Sequence, residues 1–146
     1  MIIRDLELRD IPTLVRWLNQ FNDSFEYPGK RPINDEMAAQ FFYDFLDNPH
    51  QSALVAMDKN NNPIATMGFA MTTHPWDGGK MFYKMFWYSA KPGAGTRLLR
   101  YVRDICKKGG VSRMFVSCMD DSTAQLLEAE GFSMTEPIYV YDFKRD

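Results

Sequence analysis

The sequence has little of the chemistry that marks several functional classes. It carries only two cysteines, Cys106 and Cys118, and two histidines, His50 and His74. Two thiols in a chain of 146 residues make no disulfide framework, so they read as half-buried thiols of a reducing cytoplasm. None of the four stands at HxH, HxxxH or CxxC spacing, and no metal site is expected. No apolar run approaches the roughly 20 residues that cross a bilayer. The opening MIIRDLELRD has acids where a secretion signal needs its apolar core. A cytoplasmic protein without membrane contact is the expectation. An excess of charge is lacking too: 17 Lys and Arg against 19 Asp and Glu leave a net charge of −2, with no long basic run, which argues against a nucleic-acid partner. There are no repeats, low-complexity segments or linkers longer than a loop, so residues 1–146 read as one domain.

Aromatic side chains and methionine are plentiful. Aromatics make up 14% of the chain and Met occurs ten times, which points to a core or pocket lined by flat, adaptable side chains. The periodicities predict an α+β order of β-α-α-β-β-β-α-β-α-β-β. A first strand is predicted over 1–8. Asp10 and Pro12 then open a helix whose apolar residues are Leu14, Val15, Leu18, Phe21 and Phe25. Asn34 caps a second helix with an apolar stripe of Met37, Phe41, Phe45 and Leu46, stopped by Asn48-Pro49. Strands over 52–57, 64–73 and 80–89 are joined by turns too short for crossovers, so they form an antiparallel meander. A helix within 91–110 precedes a buried-type strand over 111–118. A capping box, Ser122 to Gln125, opens a last helix. Two short strands, 132–134 and 138–143, end the chain, with Tyr139 and Tyr141 on one side of the latter.

The stretch 80–96 carries the chemistry. A strand runs into AKPGAG and straight into a helix. The first N–H groups of a helix are unpaired and carry partial positive charge, and glycine before them lets a ligand approach the backbone. That is the pattern of a phosphate or pyrophosphate cradle. Its members here are the amides of Gly93, Ala94, Gly95, Thr96 and Arg97, with charge from Lys91 or Arg97. Two other phosphate loops do not fit. No Lys precedes Thr96, as a P-loop requires, and Leu98 stands where a dinucleotide fingerprint needs its third glycine. Arg97, Arg100 and Arg103 add a basic row on the same helix, facing phosphate or solvent.

The element order, the AKPGAG loop and the ending DDSTAQLLEAEGF together resemble the GNAT superfamily of acyl-CoA N-acyltransferases. Gly93 and Gly95 fall on the two glycines of the family's cofactor loop, and Leu126, Gly131 and Phe132 match its C-terminal pattern. Ala90 stands at the usual Arg/Gln position and Leu127 at the usual Tyr. The resemblance implies a mixed, mostly antiparallel sheet splayed like a V, with acetyl-CoA entering between the strand ending near Tyr88 and the strand ending near Cys118. Its pyrophosphate would lie on residues 93–97 and its pantetheine arm along the backbone of Phe86, Trp87, Tyr88 and Ser89. The acceptor, a small amine or a protein amino group, would approach from the first two helices. The implied activity is direct acetyl transfer from acetyl-CoA, with Tyr88, Ser117, Asp120 and Glu26 as candidates for proton transfer and Cys118 nearby. The competing reading is a degenerate member of the fold, of the compact kind found in phage genomes, that binds CoA or a protein partner without turnover. Leu127 and Ala90 favour it. Exposed aromatics, Trp76 among them, would allow a homodimer.

Overall fold

The computed structural model describes residues 1–27, 30–139 and 141–143. Among them the elements run β1 (Ile2–Asp5), α1 (Ile11–Asp23), α2 (Asp35–Asp47), β2 (Gln51–Met57), β3 (Pro63–Thr73), β4 (Lys80–Ser89), α3 (Ala94–Lys108), β5 (Val111–Phe115) and α4 (Asp121–Ala129). The strands lie side by side in chain order. The pairs from β1 to β4 are antiparallel and β5 runs parallel to β4. A parallel pair needs a crossover, which α3 provides. The result is an α+β fold.

Alternation along β2 sorts the core. Ala53, Val55 and Met57 face α1 and α2, where they meet Leu14, Trp17, Phe42 and Phe45. Ala56 faces the other side with Met67, Phe82 and the α3 residues Leu98, Leu99, Val102 and Cys106. Each large side chain so buried contributes about 1.5–3 kcal/mol of transfer free energy. Asn34 caps α2 as expected, its side chain accepting from the Met37 N–H. The buried face of α2 is Ala38, Phe42 and Phe45; of the expected stripe Phe45 is buried and Leu46 packs against the same core, whereas Met37 and Phe41 are exposed. On α1, Trp17 joins Ile11 and Leu14 as the third buried residue.

Several expectations are corrected. The first strand ends at Asp5 because the Asp10 carboxylate draws the chain back. It accepts two bonds from the Arg4 guanidinium, at 2.7 and 2.9 Å, and one from the Glu7 N–H at 2.8 Å. Asp10 precedes α1 but makes no side-chain cap to it, since its oxygens are engaged by Arg4 and Glu7. The fifth strand stops at Phe115, where its pairing with β4 ends. Asp120, and not Ser122, caps α4, accepting from the Thr123 N–H. The two C-terminal strands are absent among the described residues; Val140 lies outside them. Phe132 still packs on the α3-side core, whereas Met134, Ile138, Tyr139, Tyr141 and Phe143 are exposed. A period-2 pattern becomes a strand only where it finds a partner edge and a face to cover.

Candidate functional site

The site begins where β4 loses a neighbour. Pairing with β5 covers Lys80 to Tyr83 and ends at Tyr83 opposite Phe115. Pairing with β3 continues to Ser89, opposite Ala65. From Lys84 to Ser89 one edge of β4 is therefore satisfied by β3, and among the described residues the edge toward β5 has no strand beside it. A row of backbone donors and acceptors at such an edge is a template for an extended ligand.

A β-bulge sits at the start of this open edge. Phe86 is opposite Gly68 and Lys84 is opposite Phe69, which leaves Met85 without a partner. One extra residue moves every later side chain to the other face. Phe82 packs on the α3 side, and so does Trp87, five residues on; Phe86 and Tyr88 pack on the α1–α2 side. Gly68 makes room for the shift, because a Cβ there would lie 2.1 Å from Cε1 of Phe86. The Phe86 ring meets Phe41, Phe42 and Phe45 in edge-to-face contacts, with centroids 5.0–6.1 Å apart.

Beyond Ser89 the chain turns into α3 through a tightly bonded loop. The Ser89 hydroxyl donates to the Lys91 carbonyl and accepts from the Gly95 N–H at 2.9 Å. Trp87 Nε1 donates to the Gly95 carbonyl at 3.0 Å. Gly93 caps α3 in the left-handed region, at φ +79°, which favours glycine. At Gly95 a Cβ would come within 2.8 Å of the Ser89 Cβ. The predicted cradle is thus partly used by the loop itself. The Ala94 N–H goes to Lys91 and the Arg97 N–H to Gly93, each at 3.1 Å. The amides of Gly93 and Thr96 have no protein partner among the described residues.

The charges around the loop divide in the same way. Lys91 reaches Asp58 in the β2–β3 turn at 3.4 Å. Arg100 makes a two-pronged contact to the Glu130 carboxylate, and Arg103 donates to the Glu130 carbonyl at 2.6 Å. Those two arginines join α3 to the end of α4. Arg97 is exposed and has no ion-pair partner among the described residues. The helix end, two unpartnered amides and Arg97 fit the phosphates of an anionic ligand.

The four candidates for proton transfer are spread out, and no hydrogen bond joins any two of them. Tyr88 lies on the α1–α2 face, where its ring stacks on Trp17 with centroids 5.2 Å apart and its hydroxyl donates to Gln20 Oε1 at 3.2 Å. Ser117 is exposed after β5, and its carbonyl accepts from Lys84 Nζ at 2.8 Å. Asp120 caps α4; the Ser122 hydroxyl and the Thr123 N–H hold its carboxyl below the usual range. Such a carboxylate has no proton to give near neutral pH, and only a base role is open to it. Glu26 is almost fully exposed in the loop after α1 and pairs with Lys30 at 3.1 Å. Cys118 is exposed and Cys106 buried. Leu127 is buried against the α3-side core.

Sequence reading passed over Lys84, Gly68 and Gln20. Two of them had a signal. Lys84 is the one charge inside the apolar run MFYKMFWY, and a glycine inside a strand pattern such as IATMGFAM marks a bulge or a close approach. Gln20 had none.

A family model described as the acetyltransferase (GNAT) family matches residues 14–132. The chain belongs to the GNAT family. Solved structures with the same fold lie at low sequence identity. A mutant of a Bacillus halodurans protein superposes with a TM-score of 0.78 at 15% identity, covering 98% of this chain and 99% of that one. A predicted acetyltransferase from Clostridium acetobutylicum, solved with acetyl-CoA, gives 0.74 at 21%, covering 97% and 95%. A ribosomal-protein-alanine N-acetyltransferase from Brucella melitensis biovar Abortus gives 0.72 at 19%, covering 98% and 100%. No curated protein matches the sequence. Among the described residues, no group of three or more metal-ligating side chains occurs in this GNAT chain, and no helix is long and apolar enough to cross a membrane.

Proposed function

We propose that this chain moves the acetyl group of acetyl-CoA to an amine by direct transfer. The observation that carries the reading is the open β4 edge from Lys84 to Ser89, which leads to the two unpartnered amides at the start of α3. Gly93, Thr96 and Arg97 would hold the pyrophosphate. The backbone of Phe86 to Ser89 would pair with the amides of the pantetheine arm as an added strand does. Acetyl-CoA supplies the activated acyl group. An amine with pKa near 10 is mostly protonated at neutral pH, so the acceptor must lose a proton before it attacks. Tyr88, with Gln20 behind it, lines the α1–α2 side from which an acceptor would come. A protein amino group is one acceptor class, and the Brucella neighbour named for a ribosomal-protein alanine supports including it.

The test is a calorimetric titration with acetyl-CoA. A micromolar site, about 7–8 kcal/mol of binding, supports the reading, and the absence of binding up to millimolar overturns it. Gly95→Glu should abolish that binding, because its side chain has no room beside Ser89 and adds negative charge at the phosphate end. A folded variant that binds like the parent would remove residues 93–97 from the site. A second reading, binding without transfer, is favoured by Leu127: an apolar side chain there gives no proton to a leaving group. Saturable binding with no thiol release across a panel of small amines and N-terminal peptides would select it.

A further inference from the structure

We propose that Lys84 is the catalytic residue whose ammonium stabilises the CoA thiolate as the acyl group leaves; this rests on the acetyl-CoA reading above. Lys84 is the first residue of β4 past its last pair with β5. Its side chain crosses the split between the strands, and Nζ donates to the Ser117 carbonyl on the other side at 2.8 Å. The ammonium therefore stands at the closed end of the open edge. The cradle at Gly93 to Arg97 marks the other end. From Ser89 back to Lys84 the strand spans about 16 Å at roughly 3.3 Å per residue. An extended pantetheine arm, two amides joined by short methylene spacers, has a comparable length. With the phosphates on α3, the sulfur arrives at the level of Lys84.

The charge that develops on the leaving sulfur is one that a cation there would stabilise. The acceptor nitrogen forms its bond to the acyl carbon, the carbon–sulfur bond breaks, and its electron pair leaves on sulfur. The Lys84 ammonium pairs with the thiolate so formed and keeps its proton, and the proton lost by the acceptor nitrogen passes to solvent. Ser117 offers Lys84 only a neutral carbonyl, so one N–H is held and the others are left to reach a ligand. Burial pushes the ammonium below the ordinary lysine range, while the Cys118 sulfur, the titratable group whose field reaches it, acts the other way. A partly desolvated cation stabilises a neighbouring anion more strongly than a solvated lysine does.

The experiment reads the thiol of bound CoA and needs no acceptor. Wild type, Lys84→Met and Lys84→Arg are each loaded with CoA or desulfo-CoA, and the difference in ultraviolet thiolate absorbance is followed against pH. In the wild type the bound thiol should titrate about one unit or more below free CoA. Lys84→Met should lose the shift, and Lys84→Arg, which keeps the charge, should retain most of it. The comparison of wild type with free CoA stands by itself if the Met variant does not fold. A bound thiol that titrates like free CoA, or equally in wild type and Lys84→Met, overturns the proposal and leaves acetyl-CoA binding intact. Stoichiometric acetylation of Lys84, found by mass spectrometry after incubation with acetyl-CoA, also overturns it, since the side chain would then be an acceptor. Failure of the wild type to bind CoA at all overturns the acetyl-CoA reading itself.

Discussion

From Lys80 to Tyr83, β4 is hydrogen-bonded to β3 on one edge and to β5 on the other; from Lys84 to Ser89, among the described residues, it keeps β3 alone. In the first half the adjacent Met81 and Phe82 are both buried, as in a strand covered on both faces. Phe82 is fully buried, stacked on Phe69 with centroids 4.8 Å apart. The second half takes in one extra residue at Met85, turns Phe86 and Tyr88 to the opposite face, and leaves Lys84 and the backbone beside the split. One run of sequence thus makes core in its first half and a ligand edge in its second. What separates them is a single unpaired residue and the loss of a neighbouring strand. Stability resides in the first half and recognition in the second, so substitutions should affect one property without the other.

The largest expected effect tests the closed half. Phe82→Ala removes a ring from a site with no solvent access, and should cost about 3–5 kcal/mol in a denaturant titration. Gly68→Ala tests the junction between the halves. Its methyl would overlap the Phe86 ring, and overpacking of this kind costs about 1–3 kcal/mol. It should also weaken acetyl-CoA binding, because Phe86 cannot move without carrying the open edge with it. Phe86→Leu in the same chain should restore part of the stability. Equal stability of Gly68→Ala and wild type would show that the bulge does not depend on that glycine.

Asp10→Asn is the control far from the split, with the smallest effect on the site. Burial alone would raise the Asp10 carboxyl; its bonds from Arg4 and Glu7 outweigh that and hold it below the ordinary range. A carboxyl lowered in the folded state contributes stability above its unfolded pKa of about 4, and that contribution is lost as pH falls through the folded value. The variant should be less stable than wild type by about 1–3 kcal/mol at neutral pH. The gap should narrow below about pH 4, measured by thermal melting across pH. Acetyl-CoA affinity should not change. A gap that persists undiminished in acid would mean that the carboxylate charge is not what holds Arg4.

Much of this was legible beforehand, for reasons tied to particular residues. The meander from β2 to β4 and the helix after AKPGAG follow from alternation, short turns and glycine before an amphipathic run, all of them local patterns. Which residues answer to one another was not legible. Arg97, Arg100 and Arg103 form one row in the sequence, but Glu130, at the end of another helix, engages the last two. Ser89 looks like a strand end, yet its hydroxyl takes one of the amides counted for the cradle. The stretch 138–143 alternates as well as any strand in the chain, and its described residues form none.

The sequence by itself determined the order of most elements and the position of a glycine-led helix start. Those properties depend on neighbours a few residues away, through backbone torsion and the periods of helix and strand. Tertiary structure decided that β4 and β5 part after Tyr83 and Phe115, that Met85 bulges against Gly68, and that Lys84 reaches across the opening to Ser117. Each of these pairs residues separated by at least 16 positions, and hydrogen bonding and packing choose such pairs only when the whole sheet has closed.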